Sequence, residues 1–109
     1  MNKDELLAEL RRVELKLHSV EVQQHFMAEQ DAEVRKRFVE ERIELSRMVG
    51  VLTHEKLASI QQQLTQLDPQ LRAGMKDMGA ALESVENTVA FFNALGKILG
   101  LIGRVIAIV

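Results

Sequence analysis

The chain has 109 residues, which is enough for one domain, and a formal net charge of −2 that provides no overall basic field for holding nucleic acid. It contains no cysteine, so a disulfide scaffold, a cysteine nucleophile and a thiolate zinc site are excluded. With 47% apolar and 28% charged residues, it has neither the composition of a disordered chain nor that of a wholly membrane-embedded one.

Charge is distributed unevenly along the chain. Residues 1–66 carry ten Lys and Arg against twelve Asp and Glu, whereas residues 87–109 carry only Lys97 and Arg104 as charged residues. The first residues pass directly into a charged amphipathic pattern, so we expect no N-terminal signal peptide. The pattern divides the chain into a charged segment 1–67, an amphipathic segment 68–88 and an apolar segment 89–109.

The first segment shows a heptad repeat. Positions spaced alternately by four and three residues are mostly apolar, with no proline before residue 69, and this predicts one long coiled-coil helix. Three of these positions hold the polar residues Gln24, Asp31 and Glu41, and polar residues inside a heptad repeat typically fix the register of the strands. At the other positions, leucine predominates at heptad position a and valine at position d, which favours three or more strands over two. We call these positions the seam: Leu6, Leu10, Val13, Leu17, Val20, Gln24, Met27, Asp31, Val34, Phe38, Glu41, Leu45, Met48 and Leu52.

Two irregularities follow the seam. The repeat slips near Gly50–His54, which indicates either a stutter in one helix or a break between two, and we favour one helix. At Asp68-Pro69, the pattern predicts a turn, with Asp68 as N-cap and Pro69 as first residue of a second helix. A first helix of about 60 residues would be about 90 Å long, which favours self-association. The alternative is a second helix that folds back on the first.

The apolar segment 89–109 reads VAFFNALGKILGLIGRVIAIV and has the length of a membrane span. Its polar and small residues follow one narrow line at helical spacing, and all its Phe, Leu, Ile and Val lie outside that line. In a membrane such a line would meet neighbouring helices or water. The alternative is a helix buried between protein chains of a soluble assembly. The polar stripe consists of Glu86, Asn93, Lys97, Gly100 and Arg104, with Ala90 and Ala107 on the same line.

No residue pattern indicates catalysis. His18, Glu21 and His25 have helical spacing, but no third His or Cys completes a zinc site. The basic run 35–37 is surrounded by glutamates and is typical of a solvated helix face. We therefore predict no enzyme activity, catalytic residue, metal, cofactor, small-molecule substrate or nucleic-acid partner.

The layout resembles that of the small phage and prophage haemolysin-type (holin-accessory) proteins and, more loosely, small virion proteins that cross a membrane. The resemblance rests on the seam Leu6–Leu52 and the tail Phe91–Val109. It implies a lysis accessory or pore component attached to a membrane through its C-terminus, with the bulk of the chain in the cytoplasm.

The combined expectation is an all-α, elongated, self-associating coiled-coil protein whose tail inserts into or crosses a bilayer. The alternative is a soluble structural, virion or secretion-assembly protein with the tail buried between chains.

Overall fold

The computed structural model describes residues 1–106, so Ala107 at the end of the predicted stripe and the last two residues of the tail lie outside the described residues. The prediction of an all-α fold is confirmed, and no strand occurs in the described part. Five helices follow one another: α1 (Lys3–Leu17), α2 (Val20–Met27), α3 (Ala32–His54), α4 (Leu57–Glu83) and α5 (Thr88–Ile106).

The prediction of one continuous first helix is wrong, because polar side chains cap new helices within it. Ser19 Oγ accepts a hydrogen bond from the Val22 amide at 3.3 Å, which starts α2. Asp31, expected at a seam position, instead caps α3 through its Oδ1, which accepts from the Glu33 amide at 2.9 Å. Each cap satisfies an amide at a helix start that has no partner within its helix, and so makes an interruption favourable.

The irregularity near Gly50–His54 is followed by a break. Helix α3 ends at His54 and α4 begins at Leu57. Lys3 Nζ donates to the carbonyl oxygens of Thr53 and Glu55 at the end of α3. A cation at this position satisfies terminal carbonyls and interacts favourably with the helix dipole.

The predicted turn at Asp68-Pro69 is also wrong, because both residues lie inside α4. A proline in a helix interior costs about 3 kcal/mol. Leu67 and Leu71 are buried on either side of exposed Pro69, so tertiary packing of one continuous helix offsets that cost. Asp68 accepts from the Met1 ammonium and from Arg72, and these bonds hold the pKa of its carboxyl below the usual range.

The helices form a bundle of 45 × 22 × 20 Å, too short for the expected rod of about 90 Å. Helix α5 packs against α4 and α3, and α1 packs across α3 and α4. The chain thus folds back on itself, and part of the seam becomes the internal core. The buried seam residues are Leu6, Leu10, Val13, Leu17, Phe38, Leu45 and Leu52; Val34, Glu41 and Met48 are half-buried; Val20, Gln24, Met27 and Asp31 are exposed.

Candidate membrane-active helix

Helix α5 begins after a tight turn that the periodicity did not predict. The Asn87 amide donates to the Ser84 carbonyl at 3.0 Å, and Asn87 Oδ1 accepts from the Ala90 amide at 3.2 Å. Asn87 therefore caps α5 in the manner typical of asparagine at a helix start. The cap residue was the available signal for this turn in the sequence.

The apolar side of α5 is buried within the bundle. Among the described residues it is the one helix long and apolar enough to cross a membrane, with 19 residues and a mean hydropathy of 1.6. A core helix of a soluble protein satisfies the same criterion. The buried side chains of α5 are Phe91, Phe92, Ala94, Leu95, Ile98, Leu101, Ile102 and Val105.

All five residues of the predicted polar stripe are exposed. Asn93, Lys97, Gly100 and Arg104 lie on the solvent side of α5, and Glu86 lies in the turn before it. Lys97 Nζ approaches Asp77 of α4 to 4.0 Å, a pairing that the sequence pattern did not predict. Both side chains are more than half exposed, so this ion pair contributes little to stability.

Gly74 of α4 lies directly against side chains of α5. A Cβ atom at this position would lie 2.9 Å from Ile98 Cδ1 and 3.3 Å from Leu101 Cδ1. A Cβ at Gly79, five residues further along α4, would have no atom within 4 Å. Gly74 therefore allows α5 to lie close against α4, whereas Gly79 has no such role.

The first turns of α5 contribute to an aromatic cluster that unites three helices. Phe26 of α2 stacks on Phe38 of α3, with ring centroids 4.4 Å apart, and lies 4.7 Å from Phe91 and 5.7 Å from Phe92. Sequence reasoning missed Phe26, because the seam continued through Val20 and Met27. The aromatic residue itself was the signal, since large buried aromatic side chains contribute strongly to cores.

An ion pair lies beside this cluster. Arg37 Nε donates to Glu41 Oε2 at 3.1 Å, and the Arg37 guanidinium lies 4.4 Å from the centre of the Phe92 ring. Glu41 Oε1 lies 3.9 Å from the Cβ position of Gly96 in α5. Burial raises the pKa of Glu41, and the Arg37 charge opposes that rise. The α3–α5 contact therefore includes a carboxyl group for which the charged form is disfavoured.

The residues considered as metal ligands do not form a site in the described part of the chain. No group of three or more His, Asp or Glu side chains there is arranged to hold a metal ion. His18 is exposed, and its Nδ1 lies 2.9 Å from the Glu14 carbonyl. His25 is half-buried at the side of α2.

No protein-family model, curated protein or solved structure shows a significant match to this chain. Functional inference consequently rests on the geometry of α5 and of the helices that cover it.

Proposed function

We propose that this chain is a non-enzymatic helical protein that acts on a membrane through α5, as a phage- or prophage-type lysis accessory or pore component does. The bundle shelters α5 in the folded monomer, and α5 enters the bilayer after it separates from α4 and α3. One observation carries the proposal: α5 has the hydropathy of a membrane span and a length of about 28 Å, against about 30 Å for a hydrocarbon core.

The free-energy cost of removing α5 from the bundle can be recovered in a bilayer, because hydrocarbon surrounds its apolar side chains as the protein core did. Release of α5 into water would expose its buried side chains at roughly 25 cal/mol per Å² of apolar surface. Transfer into hydrocarbon restores an apolar environment for the same side chains. Helix α5 retains its backbone hydrogen bonds throughout, which a membrane span requires.

The polar stripe favours association of several chains in the membrane. A lysine near the bilayer centre costs roughly 2.5–3.5 kcal/mol when it is isolated. If several α5 helices assemble, Asn93, Lys97 and Arg104 can point toward neighbours or water instead of lipid. We propose that seam residues released from the opened bundle gather the chains, with three or more strands favoured over two. The charged helices then remain on the cytoplasmic side.

A second candidate is a soluble structural or assembly module in which the bundle stays closed. The close packing of Ile98 and Leu101 over Gly74 favours it, because it places the apolar side of α5 in a well-packed core. In that case α5 never meets lipid.

The decisive experiment compares free and locked α5 in the full chain. Because the chain has no cysteine, the variant Asp77→Cys/Lys97→Cys places one thiol on α4 and one on α5, at a pair of exposed positions. A short cross-linker that reductant cleaves then joins the two helices. Flotation with phosphatidylglycerol/phosphatidylcholine vesicles in high salt is measured for the wild type and for the double variant, uncross-linked, cross-linked and after cleavage.

The proposal predicts that the wild type and the uncross-linked variant float, that the cross-linked variant stays at the bottom, and that cleavage restores flotation. If the cross-linked form floated as well as the uncross-linked one, the proposal that α5 separates from α4 before it enters the bilayer would be contradicted. Absence of flotation by every form would make the closed structural module the better description.

A further inference from the structure

The solvent side of the α4–α5 pair carries two adjacent rows of exposed residues, one on each helix. In each row the residues recur alternately every three and four positions, so each row is one line along its helix. A groove of about 540 Å³ runs between the rows and is lined by residues of both. We call the two rows together the hairpin face: Gln70, Ala73, Asp77, Ala80 and Ser84 along α4, and Ala90, Asn93, Lys97, Gly100 and Arg104 along α5.

The hairpin face has short side chains and few charges. Five of its ten residues are Ala, Ser or Gly, and its charged residues are Asp77, Lys97 and Arg104. The exposed side of α1, by contrast, consists mostly of charged residues. Short side chains let helices approach closely, and they lose little rotamer freedom when they are covered. Because the centres of protein interfaces are also depleted of charge, this composition suits contact with another helical surface.

The two charges at the middle of the hairpin face indicate which surface that is. Lys97 Nζ lies 4.0 Å from Asp77 Oδ2, and the two side chains remain 51% and 61% exposed, respectively. One positive and one negative charge side by side make the face complementary in charge to a copy of itself. A second copy can place its Asp77 against Lys97 and its Lys97 against Asp77, so that each charge gains a second neighbour of opposite sign.

The antiparallel course of the two helices favours one orientation of that copy. The contacts of Asp77 with Lys97 and of Gly74 with Leu101 show that residue numbers rise along α5 as they fall along α4. A two-fold axis along the helices lays α4 of one copy antiparallel on α5 of the other, with Asp77 level with Lys97. A two-fold axis across the helices would instead oppose Asp77 to Asp77 and Lys97 to Lys97, and like-charge repulsion disfavours it.

We propose that the hairpin face binds the same face of a second copy of this chain, in a two-fold dimer with Asp77–Lys97 ion pairs across the contact. The face extends about 21 Å along the helices, in a bundle only 20–22 Å wide. Its area is therefore well below the roughly 800 Å² per partner of a standard interface, and we expect a weak, reversible dimer. The inference goes beyond the proposed function, because it concerns the closed bundle and holds whether or not α5 enters a bilayer.

Sedimentation equilibrium of the full chain without lipid, from about 5 to 200 µM, tests the dimer. We expect the wild type to pass from monomer to dimer over this range. Asp77→Lys places two cations at the middle of the face, and Lys97→Asp places two anions there. Each variant should repel its own copies, which raises the dissociation constant by at least about tenfold. An equimolar mixture should form a heterodimer, because the two cations of one chain then meet the two anions of the other.

The mixture separates the contact between copies from the ion pair within one chain. The internal Asp77–Lys97 pair is lost in both variants, so it cannot account for a rescue on mixing. Lys76→Asp is the matched control, since Lys76 is exposed beside Asp77 but lies toward α1, where it lines a hollow with Met1 and Glu5. It should dimerise as the wild type does. Far-UV circular dichroism checks that each variant is folded.

Three results would overturn the proposal. The first is a wild type that stays monomeric over the whole concentration range. The second is dimerisation that persists in both single variants, which would place the contact on another surface, such as the exposed seam residues. The third is a mixture that stays as monomeric as its two components, which would contradict the pairing of Asp77 with Lys97 across the contact. Vesicle flotation is not part of this test, so the dimer and the membrane role can each fail without the other.

Discussion

The segment α1–α3 and the hairpin α4–α5 form their parts of the core in different ways. In α4, buried residues recur every three or four positions from Ile60 to Met78, and the helix continues through Pro69. In α1–α3, caps at Ser19 and Asp31 restart the helix and change which residues point inward. An uninterrupted apolar period therefore outweighs one proline, whereas a capping side chain at a seam position can end a helix that the period alone would continue.

The largest expected change in stability comes from a substitution in α2, and it tests which residues of that helix point inward. We expect Phe26→Ala to lower the free energy of unfolding by about 3–5 kcal/mol, because it removes the ring that contacts three other phenylalanines. Met27→Ala is the matched control, since Met27 is 51% exposed. Urea unfolding followed by circular dichroism measures both. A larger loss for Met27→Ala would favour the continuous seam over the capped helices.

The next largest change in stability is expected at Pro69, and it tests whether α4 is one continuous helix. We expect Pro69→Ala to raise the free energy of unfolding by up to about 3 kcal/mol, because alanine restores an amide donor inside the helix. Proline at the first position of a helix would carry no such penalty. Thermal and urea unfolding of the two proteins measure the change. No gain in stability would indicate that a helix starts at residue 69.

A smaller effect tests the contact between α4 and α5. We expect Gly74→Leu to destabilise the chain by about 1–3 kcal/mol, since the new side chain meets Ile98 and Leu101. Gly79→Leu has open space and replaces a poor helix former, so it should be neutral or stabilising. The same two variants should separate in flotation, with Gly74→Leu binding vesicles more readily. Equal stability of the two would contradict the close packing of α5 on α4.

The smallest effect concerns pH. Because burial raises the pKa of Glu41 in the folded chain, the favourable neutral form is lost as pH rises through that folded pKa. Glu41→Gln should therefore be more stable than the wild type at pH 7, and the difference should narrow toward pH 4. Glu40→Gln, at the exposed neighbouring position, should show no such trend. Urea unfolding curves between pH 4 and pH 7 measure the free energy of unfolding of each protein. The same pH trend in Glu41→Gln and Glu40→Gln would contradict a raised pKa at Glu41.

Much of the candidate site could be predicted from residue types. The apolar character of segment 89–109 and the solvent line through Asn93, Lys97 and Arg104 depend on periodicity within one helix, and the line is exposed in the structure. The aromatic cluster could not be predicted in the same way. Phe26 and Phe91 are brought together by the path of the whole chain, which local spacing does not encode.

The helical class and the contrast between a charged first part and an apolar last helix can be predicted from the residues alone, because they follow from composition and from local 3.6-residue periodicity. The ends of the helices, the buried residues of α2 and the position of Pro69 within a helix depend on how the whole chain packs. Caps, turns and a tolerated proline differ by only a few kcal/mol each, so the packing of the whole bundle selects among them.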